Sequence, residues 1–184
     1  MSPAVFTESG VTIDLTGREN FRFSTCPGYA PLSGTGLKEM DVGWFEPTAA
    51  GGAGKLYLVE LKDFSLETLA GRKGSSYPTY AVKAEFIIEE LVRKSLDSVC
   101  MLMAVAAGVP AAATLAPCLP PSFGPGTAVQ LVHILHLSPS LVPYLTFINE
   151  MVRIKIRPYQ QLFAIGPCTV LSHAQAVAIF SNIS

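Results

Sequence analysis

The stretch from Lys55 to Phe64, KLYLVELKDF, constrains this chain more than any other. Strand side chains alternate between faces with a period of two. Tyr57, Val59 and Leu61 therefore point to one side, and they are apolar enough to face a core. Leu56, Leu58, Glu60 and Lys62 point to the other, so an otherwise apolar face ends in an acid and a lysine. Just upstream, KEMDVGWFEP reads as a second strand carrying Asp41, joined to the first by the small-residue turn TAAGGAG. A hairpin of this kind brings Asp41 alongside Glu60 and Lys62.

Two carboxylates on rigid strands suit a hard divalent cation such as Mg²⁺ or Mn²⁺, which takes oxygen ligands. A lysine beside them orients a water and neutralises charge developing on a phosphate. The competing reading is a surface pair on an exposed strand, with Asp41 capping a turn. Geometry decides between them. Carboxyls more than about 8 Å apart cannot share one ion at roughly 2 Å per ligand. The turn is not a phosphate loop. Ala49 stands where a Walker loop has its first glycine, Leu56 stands at the Ser/Thr position, and a strand follows instead of a helix.

Asp41 on one strand and Glu60-Leu61-Lys62 on the next resemble the PD-(D/E)XK nuclease superfamily, the restriction-endonuclease-like fold. The resemblance implies an α/β fold, a central mixed β-sheet flanked by helices, with residues 1–184 forming a single nuclease-like domain. It implies metal ligation by Asp41, Glu60 and the backbone carbonyl of Leu61, a catalytic role for Lys62, and hydrolysis of nucleic acid. Arg72 and Lys73, in a Gly/Ser loop beyond the site, are then candidates for contacting substrate phosphates. Two departures stand out. Met40 occupies the position of the motif's proline. No helix precedes residue 38 to carry a further acid, which leaves Glu8 or Glu19.

Bulk properties set limits. The 184 residues are 49% apolar and 15% charged, a folded composition. Net charge is −1, so any phosphate-binding surface is a local patch. The cysteines, Cys26, Cys100, Cys118 and Cys168, form no C-x-x-C pair, which argues against a zinc ribbon. They read as reduced core thiols of a cytoplasmic protein, and MSPAVFTESG has no signal-peptide pattern.

In chain order, Val11–Asp14 and NFRFS (20–24) read as a hairpin, and 26–36 as a Pro/Gly loop. Gly43 leaves room beside the acid, or marks a bulge. A helix runs from about Tyr80 to Gly108 with an apolar stripe through Phe86, Leu91, Leu96, Val99 and Met103. Its uncharged end is too short to span a bilayer. No Lys, Arg, Asp or Glu occurs from Ser98 to Asn149. Within that run, TAVQLVHILHL is a buried strand whose His133 and His136 fall on opposite faces. A helical period runs from Ser138 through residues 151–157, with Arg153 and Arg157 one turn apart, while VRIKIR also alternates as a strand with Arg153, Lys155 and Arg157 on one face. Arg153 and Arg157 are a backbone-binding patch or a solvated face. A short strand and a helix capped by Ser172 end the chain.

Three functions fit: a metal-dependent nuclease; a nuclease-like binding module without activity; and a structural or oligomerising protein, such as a homodimer, that buries residues 98–149 against a partner. No membrane partner is expected.

Overall fold

The computed structural model describes residues 4–48, 54–65, 80–163 and 165–184. The architecture is mixed α/β, as expected. A two-stranded hairpin, β1 (Val5–Glu8) with β2 (Val11–Asp14), precedes a five-stranded mixed sheet. That sheet has the order β3 (Asn20–Phe21), β4 (Val42–Glu46), β5 (Lys55–Phe64), β6 (Ala128–Leu137), β7 (Thr169–Ser172). The first three strands are antiparallel, and β5, β6 and β7 are parallel. The helices are α1 (Tyr29–Gly34), α2 (Tyr80–Ala106), α3 (Leu145–Phe163) and α4 (His173–Ile179).

The period-two pattern of β5 explains its central place. Leu56 and Leu58 join one core with Ile87 and Leu91 of α2 and with Ile148, Val152 and Ile156 of α3. Val59 and Leu61 join a second core with Ile13, Trp44, Val132 and Ile134. A strand buried on both faces needs apolar residues at both phases, and β6 meets the same demand with its nearly continuous apolar run. The two pair in parallel along their full length, from Lys55↔Ala128 to Phe64↔Leu137. Parallel pairing requires a long crossover. α2 lies within the segment that makes it.

Several expectations are corrected. The N-terminal hairpin partner of β2 is β1, closed by Ser9 and Gly10, both at positive φ (54° and 76°), the geometry of a two-residue hairpin turn. The NFRFS segment pairs with β4 instead. The loop 26–36 contains α1. Gly43 makes room for a ring, not for the acid: a Cβ there would lie 2.2 Å from a Phe21 ring carbon. The buried stripe of α2 runs through Ala84, Ile87, Ile88, Leu91, Ser95, Ser98, Val99 and Leu102, and Phe86 is exposed. The helix expected from Ser138 begins at Leu145, after a 3₁₀ turn at Val142–Tyr144. Residues 151–157 are helical and not a strand. Ser172 caps α4 in a reciprocal capping box with Gln175, as expected.

The largest correction concerns the cysteines. Cys26 and Cys118 are disulfide-bonded across 92 residues of sequence. Cys100 and Cys168 are free. The reading of all four as reduced core thiols is thereby overturned. Among the described residues no helix is long and apolar enough to cross a membrane.

Candidate functional site

The site forms where a strand pair is deliberately cut short. Backbone pairing of β4 with β5 runs from Glu46↔Lys55 to Val42↔Val59 and stops. Continuing it would set Met40 opposite Leu61. The Met40 N–H is instead taken by the Ser98 hydroxyl of α2 at 2.8 Å. The Leu61 N–H then needs another acceptor, because an unpaired buried amide is costly. Asp41 Oδ2 accepts it at 2.7 Å. The Leu61 carbonyl accepts from the Ser9 hydroxyl, at the tip of the β1–β2 hairpin, at 3.3 Å.

One face of α2 holds the segment that leads into β4. Arg93 donates to the Gly36 carbonyl at 2.7 Å, and Asp97 accepts from the Lys38 N–H at 3.0 Å. Between them in sequence, Lys94 reaches the two acids. Its Nζ lies 2.7 Å from Glu60 Oε1 and 3.4 Å from Asp41 Oδ1. Lys62 Nζ lies 3.4 Å from the same Glu60 oxygen. Both carboxylates therefore contact one ammonium group, and these oxygens lie closer to each other than the sum of 2.7 and 3.4 Å. That is well inside the limit of about 8 Å for sharing an ion.

The electrostatics follow from burial. Glu60 is fully buried and Asp41 nearly so. Burial first, and the Asp41 charge second, push the Glu60 pKa up to about 8, against the pull of Lys94 and Lys62. Burial alone would lower Lys94, but the Glu60 and Asp41 carboxylates outweigh it and hold the ammonium above the ordinary lysine range. His133, in register with Glu60 on β6, is driven down to about 3 by burial and then by Lys94, so it is neutral. Its Nε2 meets the Ser95 hydroxyl at 3.0 Å. That hydroxyl donates to the Leu91 carbonyl, so the ring nitrogen carries the proton. Its Nδ1 is buried and has no hydrogen-bond partner among the described residues. His136 is exposed, with Nδ1 3.7 Å from Asp63.

A carboxyl whose pKa rises on folding binds its proton more tightly in the native state, so its stabilising contribution falls as pH climbs from the ordinary value of 4.5 towards about 8. His133 has the opposite sign and acts at lower pH. Between about pH 5 and about pH 8 the wild type is thus expected to lose stability relative to Glu60→Gln, read as the difference in urea midpoints. Parallel pH profiles for the two proteins would disprove the assignment.

The residues fit a hard cation. Glu60 Oε2 is buried and has no hydrogen-bond partner among the described residues. With Asp41 Oδ1 and the Leu61 carbonyl it offers the oxygen donors that Mg²⁺ or Mn²⁺ takes. No group of three or more His, Cys, Asp or Glu side chains is placed to hold an ion among the described residues, so the backbone carbonyl and waters would complete the shell. Of the two upstream acids, Glu8 lies at the end of β1. Burial raises its pKa first and Asp41 second, while Arg22, Lys94 and Lys62 lower it, which places it on the rim of the same cluster. Arg22 links the two acids: it lies 3.8 Å from the Glu8 carboxylate and donates to the Asp41 carbonyl. Glu19 is occupied elsewhere, accepting from Ser122.

Asp41, Glu60, Leu61 and Lys62 are thus brought together. Arg153 and Arg157 are exposed a turn apart on α3, beside a small cavity also lined by Glu150, Ile154 and Gln160. Arg72 and Lys73 fall outside the described residues. Lys94 was missed in the sequence. The available signal was its place three residues after Leu91, on the edge of the buried stripe of α2. No family model matches the chain, and no curated protein or solved structure matches it.

Proposed function

We propose that this chain is a metal-dependent phosphodiesterase of the PD-(D/E)XK type, acting on nucleic acid. One observation carries the reading: two buried carboxylates and two lysines converge at the end of a strand pair, with one carboxylate oxygen left unpartnered. Asp41, Glu60 and the Leu61 carbonyl would hold Mg²⁺ or Mn²⁺. Such an ion, when bound, supplies Lewis-acid stabilisation at a phosphate and lowers the pKa of a water. Lys62, partly exposed and tethered to Glu60, orients the attacking water and places positive charge beside the scissile phosphate. Asp41 is fixed by the Leu61 N–H, and its other oxygen faces Lys94. Arg153 and Arg157, with Arg72 and Lys73, are the candidate contacts for the substrate backbone.

The test is Mn²⁺-dependent cleavage of plasmid and single-stranded DNA. Wild-type protein is expected to cleave, and Lys62→Ala and Asp41→Ala to lose at least about a hundredfold in rate. Absence of cleavage by the wild type, or undiminished cleavage by the variants, overturns the proposal. A second reading, a nuclease-like binding module without activity, is favoured by Lys94, which already neutralises both carboxylates. Salt-sensitive DNA binding without cleavage would select it.

A further inference from the structure

We infer that Lys94 is an internal substitute for the cation. Its ammonium occupies the position between Asp41 and Glu60, and a divalent ion enters only by displacing it. The inference rests on the metal-site reading above and adds how that site is gated.

The geometry is specific to Lys94. It alone of the two lysines contacts both acids, at 2.7 and 3.4 Å, and its side chain is 12% exposed. Lys62 touches Glu60 alone, at 3.4 Å, and is 30% exposed. Two acids this deeply buried ionise together only beside a cation, because an unpaired buried charge is strongly unfavourable. Mg²⁺ binds oxygens at roughly 2.0–2.1 Å, so an ion gripping Asp41 Oδ1 and Glu60 would sit against the ammonium. Like charges in a poorly solvated site repel strongly, and the two cations exclude one another.

The surroundings allow the lysine, and not its helix, to move. The turn carrying Lys94 is pinned on both sides. Ser95 bonds within the helix to the Leu91 carbonyl, Ser98 accepts from the Met40 N–H, and Asp97 accepts from the Lys38 N–H. The backbone stays, while the four-carbon stem is free to turn its head group towards water. Metal loading and lysine exposure are therefore one event. Affinity for the ion is reduced by the fraction of molecules in which Lys94 holds the position.

Two measurements test this. In wild-type protein, acetylation by an N-hydroxysuccinimide ester, read by mass spectrometry, reports lysine exposure. Saturating Mn²⁺ is expected to raise Lys94 labelling several-fold while Lys55 and Lys155 stay constant. In parallel, calorimetry is expected to show Lys94→Met binding Mn²⁺ at least about tenfold more tightly than wild type, with Lys155→Met close to wild type. Mn²⁺ binding by wild type with unchanged Lys94 labelling, or equal affinities for wild type and Lys94→Met, overturns the inference and leaves the metal site standing. If neither protein binds Mn²⁺, both this inference and the metal-site reading fall. Should Lys94→Met not fold, the labelling result on the wild type decides.

Discussion

Breaking the Cys26–Cys118 bond is expected to lower stability by about 4–5 kcal/mol, on the chain-entropy scaling for a closed loop of this size. The bond joins the segment before α1 to the Ala/Pro-rich stretch between α2 and β6, and it spans 92 residues. That loop encloses Asp41, Glu60, Lys62 and Lys94, so the cross-link restricts the unfolded chain over the whole region that builds the site. The two 3₁₀ turns of the Pro-rich stretch, Pro110–Ala112 and Ala116–Cys118, have no side-chain caps. Paired urea titrations with and without reductant would measure the loss, and Cys26→Ala/Cys118→Ala should reproduce it. Cys100→Ser, at an exposed thiol, should change stability by less than about 0.5 kcal/mol. A reduced protein as stable as the oxidised one would rule the contribution out.

Lys94→Ala is expected to cost about 3–5 kcal/mol above about pH 8, where Glu60 is ionised, the range for removing one partner of a buried ion pair. The cost arises less from the lost attraction than from what remains: Glu60 shut off from solvent beside Asp41, with the partly exposed Lys62 at 3.4 Å as its remaining cation. Protonation of Glu60 relieves part of it, so the loss should be smaller at acid pH. Lys94→Met combined with Glu60→Gln removes charge from both sides and should recover at least about half of the single-variant cost, a coupling that a double-mutant cycle reads directly. Lys62→Ala, at a partly exposed pair, should cost under about 1 kcal/mol. That contrast separates the two lysines: one holds the site together, while the other is spared for chemistry. A Lys94→Ala variant within about 1 kcal/mol of wild type would show that the buried acids do not depend on it.

Much of this arrangement could be read locally. The alternation in KLYLVELKDF placed Glu60 and Lys62 on one face of β5, and the structure puts Leu56 and Leu58 beside them in one core, with Val59 and Leu61 in the other. The serine before HAQAVAI announced a helix cap, because a cap is a contact between residues three apart. The uncharged run around TAVQLVHILHL announced a strand buried on both sides. Where the local reading failed, two local signals competed or the deciding partner was distant. Gly43 reads equally well as space for a ligand or for a ring until Phe21 is seen opposite it. CPGYAPLSGTG carries turn residues throughout, yet one short helix forms within it.

By itself, the sequence determined which side chains share a face, since the strand period and the helix period are properties of the backbone and need no partner. It also determined that β5 and β6 had to be interior, since no other place in a protein suits such apolar strands. Tertiary structure alone decided what completes the acid pair. Lys94 arrives from a helix 34 residues after Glu60, Glu8 from a hairpin at the other end of the chain, and the Cys26–Cys118 bond closes over both β4 and β5. Those meetings are set by how a sheet, a helix and a hairpin stack, and no spacing along the chain encodes them.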